Sequence, residues 1–391
     1  MKTIRTSAVA LLGAVKLANS VIKGNNMLPV LDYLKLEAKG GQLDVTGSDL
    51  ETTIIASCSC EGDECTILVP AGQLLKILVA VGSTPIAFNS EEGKIDIVTD
   101  NGKFSISGSD IEAYPVSPNG GEVLIFSMEG DEYREAVNSV AFCCGHDEMR
   151  PVFGGVCFDL QGGRLVCTDA TKLAIRQTTF AGVGDDYPTF IMEGTIATLS
   201  AKQKAKEVKI GLMMEGEGET KAVTHITLSF PGVTIITRAI DGKYPNIDAV
   251  VPSKENAVNF FLFERDKFTK DIKTASIMAN STTHGIILNF GTESTIEAND
   301  YDFGHGTKQR IGGQYGGDPD FRISFNSEYL GAIVSNSDET ATLEMSANNK
   351  AAVIRNKKTL YLVMPIMIVE APDPKNEEEP IEEEEMEEAE A

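Results

Sequence analysis

The chain has 391 residues, 42% of them hydrophobic, and a formal net charge of −24 at pH 7. That length accommodates two or three domains, each with a core that needs no covalent staple. No apolar run approaches the roughly 20 residues needed to cross a bilayer, which excludes a membrane-spanning protein; the basic start, Met1-Lys2-Thr3-Ile4-Arg5, leads into a stretch broken by Gly13, Lys16 and Asn19, which is not a signal peptide and points to the cytoplasm.

Helical spacing opens the chain, with Val9, Leu11, Leu12, Val15, Leu17 and Val21, and predicts a helix within residues 2–23. This stretch has no acid: Lys2, Arg5, Lys16 and Lys23 all precede the first carboxylate, Asp32. Alternating strands follow at 34–37 and 43–46, separated by Gly40-Gly41. Cys58 and Cys60 then fit the same face of a strand; Cys58-x-Cys60-x4-Cys65 has no second pair or nearby histidine to complete a zinc site. A second helix is expected over 73–81 after Pro70, and strands at 94–98 and 103–107 close the unit.

The same order then recurs. At an offset of 122, Leu28-Pro29-Val30-Leu31 lies over Arg150-Pro151-Val152-Phe153, and Gly40-Gly41-Gln42-Leu43-Asp44-Val45-Thr46 over Gly162-Gly163-Arg164-Leu165-Val166-Cys167-Thr168. Ile111-Glu112-Ala113-Tyr114-Pro115 is echoed by Ile240-Asp241-Gly242-Lys243-Tyr244-Pro245. The second unit has helix-period residues at Tyr133, Ala136, Val137, Val140 and Ala141 and a second helix over 194–205. The stretch 194–206 is again free of acid and carries Lys202, Lys204 and Lys206. A third unit, with Phe268, Ile272, Ala275 and Ile277 at helical spacing and a second helix over 327–334, echoes the pattern more weakly. The economical organisation is three similar α+β domains, two helices on antiparallel sheets in each: 1–121, 122–252 and 253–371, followed by a tail, 372–391. From Glu370 onward the chain holds 12 acids and one lysine, leaving −13 on the rest, and such a composition is expected to be disordered.

The sequence offers little chemistry. It has no phosphate-binding Gly-x-x-x-x-Gly-Lys-Ser/Thr, no Gly-x-Ser-x-Gly elbow, and four histidines, His146, His225, His284 and His305, that share no metal-binding spacing. The seven cysteines, an odd number, fit reduced thiols. Asp49-Leu50-Glu51 and Asp147-Glu148 could hold Mg2+, but no helical or strand register converges them, and solvated turns account for them better. No catalytic residue, metal or cofactor is expected, and architecture and binding take the place of turnover.

Leu28-Pro29-Val30-Leu31, Gly47-Ser48-Asp49-Leu50-Glu51, Thr168-Asp169-Ala170-Thr171-Lys172-Leu173-Ala174, Asp241-Gly242-Lys243-Tyr244-Pro245 and Tyr361-Leu362-Val363-Met364-Pro365-Ile366 together resemble the bacterial DNA polymerase III beta subunit, the sliding clamps, over about residues 1 to 368. The resemblance implies a processivity factor and not an enzyme. Two three-domain chains would join head to tail into a closed ring around duplex DNA, held by enclosure and without sequence readout. The segments 2–23 and 194–206 would then be inner helices, with Lys2, Arg5, Lys16, Lys23, Lys202, Lys204 and Lys206 facing DNA. The helix 130–144 is a mixed case, with Asp131, Glu132 and Glu135 against Arg134.

The resemblance also implies a pocket between the second and third domains for short Gln-Leu-x-Leu-Phe-like peptides of the replicative polymerase alpha subunit, the clamp loader and repair proteins. The matching positions are Phe153, Thr168, Leu173, Pro245, Val250, Leu362, Val363, Met364, Pro365 and Ile366, with Lys172 at the rim. Ring closure would use the edge strand with Lys103, Phe104 and Ile106 against Ile277 and Met278. The sequence departs from the family in its acidic extension, in Ala170-Thr171 where relatives carry Gly-His, and in Ala249 where they carry a base. Two other readings stand beside this one: a metal-dependent enzyme using scattered carboxylates, and a clamp-like scaffold that binds partners without encircling DNA.

Overall fold

The computed structural model describes residues 1–24, 28–91, 93–116, 122–216 and 222–368. The predicted acidic tail and residues 117–121, at the expected end of the first domain, lie outside these residues. The described residues form two compact units, one within Met1–Val251 with Arg355–Tyr361, the other of Pro252–Ile354 with residues 362–368.

One local device occurs six times: a strand runs straight into a helix. Lys2–Ser7 leads into α1 (Ala8–Ala18), Cys65–Pro70 into α2 (Ala71–Val81), Glu122–Glu129 into α3 (Gly130–Val140), and Phe190–Glu193 into α4 (Gly194–Ser200). In the second unit Asn259–Glu264 leads into α5 (Arg265–Ser276) and Arg322–Asn326 into α6 (Ser327–Ser335). Three of these junctions, those of α3, α4 and α6, are capped by a side chain. The Glu129 carboxylate accepts from the backbone N–H groups of Asp131 and Glu132, Glu193 from Thr195 and Ile196, and Asn326 from Glu328 and Tyr329. The helices pack in pairs, α1 with α2, α3 with α4 and α5 with α6, so the unit of construction recurs three times.

Two expected helices are shorter than their charge pattern suggested. Residues 2–7 form a strand, not the start of a helix: Ile4 and Thr6 point inward and are buried, while Arg5 and Ser7 point outward and are exposed. α1 ends at Ala18, whose carbonyl sits so close to Gly47 that a Cβ there would lie 2.1 Å from it. α4 ends at Ser200, because the chain must next pass the start of α3: Lys206 O accepts from Gly130 N at 2.8 Å, and a Cβ on Gly130 would lie 1.9 Å from Ala205 O. Lys2 and Arg5 therefore sit on a strand, and Lys202, Lys204 and Lys206 follow α4. Cys58 and Cys60 differ too: Cys58 belongs to Thr52–Ser59, and Cys60 lies just past its end.

The first unit holds an eight-stranded antiparallel sheet in the order Glu122–Glu129, Glu207–Glu215, Ala222–Phe230, Val233–Arg238, Thr52–Ser59, Gln42–Ser48, Tyr33–Lys39, Cys65–Pro70. Its seam joins the first two repeats through backbone pairing of Val233–Arg238 with Thr52–Ser59, supported by a buried contact of 2.9 Å between the Thr52 and Thr237 hydroxyls. A five-stranded sheet of the same unit ends on Gly102–Ser107, which among the described residues pairs only with Lys94–Thr99. In the second unit, Thr340–Met345, Asn259–Glu264 and Gln314–Gly316 form one antiparallel run, and His305–Arg310, Thr295–Asp300, Gly285–Asn289 and Arg322–Asn326 another.

The sequence repeat is visible in the turns. Tyr33–Lys39 and Gln42–Ser48 are joined by Gly40 and Gly41, both at positive φ, a two-residue hairpin that side chains with a Cβ resist. Ser48–Thr52 and Thr168–Lys172 are the same turn built twice. Asp49 Oδ1 accepts from the N–H groups of Glu51 and Thr52, and Asp169 Oδ1 from those of Thr171 and Lys172. Leu50 and Ala170 occupy the same left-handed position, with φ of 77° and 76°. These aspartates staple turns, so Asp49 is not the solvated carboxylate that its sequence context suggested.

Candidate functional site

The residues that the resemblance assigns to a partner-peptide site separate into a buried set and an accessible set. In the first unit, Thr168 is buried and its hydroxyl is used within the turn, donating to Lys172 O at 2.7 Å and accepting from Ala170 N at 3.1 Å. Leu173 is buried in the strand Lys172–Gln177. Lys172 is not at a rim: it is 8% exposed and its ammonium pairs with the Asp169 carboxylate. The accessible members are Phe153, half-buried beneath the Arg150 guanidinium at 5.0 Å from its ring centre, Pro245, and Val250, which is 50% exposed.

In the second unit the same division appears along one strand end. Leu362 and Val363 are buried, whereas Met364 is 36% exposed and Pro365 and Ile366 are half-buried. Ile366 N donates to Ser324 O at 2.9 Å, and its side chain lines a cavity of about 320 Å3 with Thr283, Gly285, Ile287, Tyr301 and Met367. The strand Thr359–Val363 buries its last three residues and then stops, leaving the Met-Pro segment outside.

An arginine that the sequence did not single out holds the segment with Pro245 and Val250. Arg164 Nη1 and Nη2 donate to the two carboxylate oxygens of Asp248 at 2.6 and 2.9 Å, and its Nε donates to Asp159 at 2.7 Å. A bidentate fork of this kind sets the orientation of the loop as well as its position. Arg164 and Asp248 are 84 residues apart, a separation at which no local pattern reveals a pair.

The Asp169 carboxyl is subject to opposing effects. Burial raises its pKa, but the Lys172 ammonium, the Thr171 hydroxyl and two backbone N–H groups outweigh that effect and hold it below the usual carboxylate range. A carboxyl depressed in the folded state contributes stability that is complete above its unfolded pKa of about 3.9 and is lost as pH falls through the lower folded value. Asp169→Asn is expected to cost about 2 kcal/mol at pH 7, because it also removes the carboxylate from beside the buried Lys172. Thermal melts should show this gap narrowing as pH falls below about 4; a gap independent of pH would show that the charge is not responsible.

The basic residues are accessible but scattered over different elements. Lys2, Arg5, Lys16, Lys202, Lys204 and Lys206 are all exposed, with Lys16 in the last turn of α1. Lys23 is exposed and reaches Asp49 at 3.4 Å. The acids of α3 are largely engaged internally. Glu132 accepts from Lys358 at 2.8 Å and Thr178 at 3.0 Å, and Asp131 pairs with Arg134 at 2.8 Å. At the loop before the second Pro-Val segment, Asp147 accepts from Arg150 at 2.6 Å and from Met149 N.

The strand residues assigned to ring closure have distinct surroundings. Phe104 is partly exposed on the edge strand Gly102–Ser107, Lys103 pairs with Asp96 at 2.6 Å, and Ile106 packs against the core of the first repeat. In the second unit, Ile277 caps the end of α5 and is 73% exposed, with Met278 39% exposed. Ile277 therefore does not continue the buried stripe of Phe268, Ile272 and Ala275, as its spacing had suggested. Among the described residues no group of histidine, cysteine or carboxylate side chains could hold a metal ion, and no helix is long and apolar enough to cross a membrane.

Solved structures with this architecture are sliding clamps. One from Bartonella birtlesii bound to griselimycin superposes with a TM-score of 0.85 at 21% identity, covering 94% of this chain and 100% of that one. One from Pseudomonas aeruginosa, also bound to griselimycin, gives 0.83 at 22% identity over the same shares. Among curated relatives, the beta sliding clamp of Streptomyces coelicolor is 25% identical over 383 residues, 93% of this chain and 99% of that protein. The clamp homolog GriR of Streptomyces muensis is 25% identical over 358 residues, 87% of this chain and 92% of its own length. The fold is that of a sliding clamp. Family models for the N-terminal and central domains of the DNA polymerase III beta subunit match residues 3–118 and 127–246. The chain belongs to the DNA polymerase III beta subunit family, and its role is that of a DNA polymerase processivity factor, which in that family is non-catalytic.

Proposed function

We propose that two copies of this chain join head to tail into a ring that encircles duplex DNA in the cytoplasm and slides along it. The observation that carries this reading is the open edge of Gly102–Ser107, a strand with one partner and a partly exposed Phe104. A free edge of this kind is completed by adding another strand or by an apolar cover. The exposed Ile277 and Met278 supply apolar surface of the kind such an edge requires. Enclosure explains how a chain of net charge −24 works on DNA: retention by topology does not need the summed phosphate attraction of an open binder. Lys2, Arg5, Lys16, Lys23, Lys202, Lys204 and Lys206 then supply a local positive lining, with the domains divided as 1–121, 122–252 and 253–371.

The replicative polymerase alpha subunit, the clamp loader and repair proteins dock by short apolar peptides on Phe153, Pro245, Val250, Met364, Pro365 and Ile366. Thr168, Lys172 and Leu173, buried in the first unit, and Leu362 and Val363, buried in the second, belong to the same set. Prolines and a methionine give a surface that is partly fixed and partly adaptable, suited to exchanging partners.

The decisive experiment loads the protein onto a nicked circular duplex with a bacterial clamp loader and ATP, then cuts the circle once. Encirclement predicts co-migration with the circle in gel filtration and loss of most of the protein within minutes of cutting. Protein that never joins the circle, while still binding partner peptides, would support the scaffold reading, which the negative balance of −13 outside the acidic extension favours.

A further inference from the structure

Four of the seven cysteines belong to the second repeat, and none of them has a part in the function described above. Cys144 follows the short 3-10 turn after α3, and Cys167 lies on the strand Arg164–Thr168. Their sulfur atoms are 2.9 Å apart, less than 1 Å beyond the length of a disulfide bond, about 2.04 Å. Glycines at both ends hold this approach. A Cβ on Gly194, at the start of α4, would lie 2.6 Å from Cys144 Sγ, so the sulfur occupies space that only glycine leaves. Cys167 Sγ in turn rests 3.6 Å from Gly155 O. The two thiols differ in access: Cys144 is half-buried and Cys167 buried. Burial pushes the Cys167 thiol well above its ordinary range, so it is a poor first nucleophile.

The geometry points to Cys144 and Cys167 as an oxidisable pair, a modification site at which a small peroxide converts two thiols into one disulfide. The Cys144 thiolate attacks hydrogen peroxide: an S–O bond forms, the O–O bond breaks, and the departing hydroxide takes up a proton to become water. Cys167 then attacks the Cys144 sulfenic sulfur. The S–S bond forms, the S–O bond breaks, and the hydroxyl leaves as water with the Cys167 proton. Two thiols lose two electrons in total and the peroxide is reduced to two waters. Because the attacking sulfur is already in contact, the sulfenic acid is captured before a second peroxide can carry it to sulfinic acid. The new bond ties the end of α3 to the residue preceding the Thr168–Lys172 turn, closing a loop across the second repeat.

The test exposes the full-length protein to hydrogen peroxide, alkylates the remaining thiols, and digests it with trypsin without reductant. Two of the seven thiols should escape alkylation. A peptide pair joining Cys144 to Cys167, lighter by two hydrogens and separated by dithiothreitol, should appear in the mass spectrum. Cys143 and Cys157 share the Cys144 peptide, because trypsin does not cut between Arg150 and Pro151, so variants decide among them: the pair should persist in Cys143→Ser and in Cys157→Ser and vanish in Cys144→Ser. The oxidised wild-type protein should also melt at a higher temperature than the reduced protein, a difference absent in Cys144→Ser. Seven alkylated thiols after exposure, a cross-link that survives Cys144→Ser, or Cys144 found as sulfinic acid would each overturn the assignment. None of these readouts depends on the ring or on peptide docking.

Discussion

Ile277→Ala combined with Met278→Ala should convert the dimer to monomers at concentrations where the wild-type protein remains paired. Both side chains are exposed in the single chain, Ile277 at 73%, so neither contributes to its own core and the melting temperature should barely change. In a head-to-tail ring, however, each substitution enters both seams. Losing roughly 2 kcal/mol of apolar burial at each seam gives about 4 kcal/mol in all, a dissociation constant about a thousandfold higher. Sedimentation velocity at nanomolar concentration reads this directly. A double variant that stays dimeric would place the closing surface elsewhere, and Phe104→Ala on the edge strand would be the next position to test.

The second large effect concerns partner docking. Val250→Asp with Met364→Asp should lower affinity for a Gln-Leu-x-Leu-Phe-like peptide at least about thirtyfold, roughly 2 kcal/mol, because each carboxylate must be desolvated against an apolar ligand. The fold should tolerate both changes, since Val250 and Met364 already meet solvent. Leu173→Asp or Val363→Asp would instead unfold the protein, both residues being buried, and would say nothing about docking. Fluorescence anisotropy with a labelled peptide, run beside thermal melts, separates the two cases. Unchanged affinity in a folded double variant would remove these residues from the docking surface.

What the sequence revealed follows from how local its signals are. Within the repeated Gly40-Gly41 and Gly162-Gly163, the positions Gly40, Gly41 and Gly163 take the left-handed backbone angles that strand turns need, so the pairs stand out without knowledge of the fold. The six helices could be located because their apolar positions recur at short intervals, and the edge strand with Phe104 because it alternates. Helix boundaries could not be read in this way: α1 ends at Ala18 and α4 at Ser200, where the carbonyls of Ala18 and Ala205 press on Gly47 and Gly130, residues far away along the chain. Charge patterning alone overextended both helices. The burial of Lys172 was missed for a related reason, since a lysine beside a pocket motif reads as a rim residue until its carboxylate partner is placed. The Arg164–Asp248 fork and the Cys144–Cys167 contact join residues 84 and 23 positions apart, and no spacing rule reaches them.

The seam of the eight-stranded sheet has a consequence for synthesis on the ribosome. Thr52–Ser59 waits for Val233–Arg238, its neighbour in the finished sheet, and the two segments are separated by roughly 180 residues. At about 5 to 20 residues per second, that edge stays open for roughly 10 to 40 s while the intervening chain is made. During this time Thr52–Ser59 presents unpaired amides beside Ile54 and Ile55, a template for wrong pairing with any other nascent strand. A nascent-chain chaperone would therefore act on this protein mainly before residue 238 has emerged, and slowing translation within 60–230 should lower the soluble yield more than slowing it afterwards.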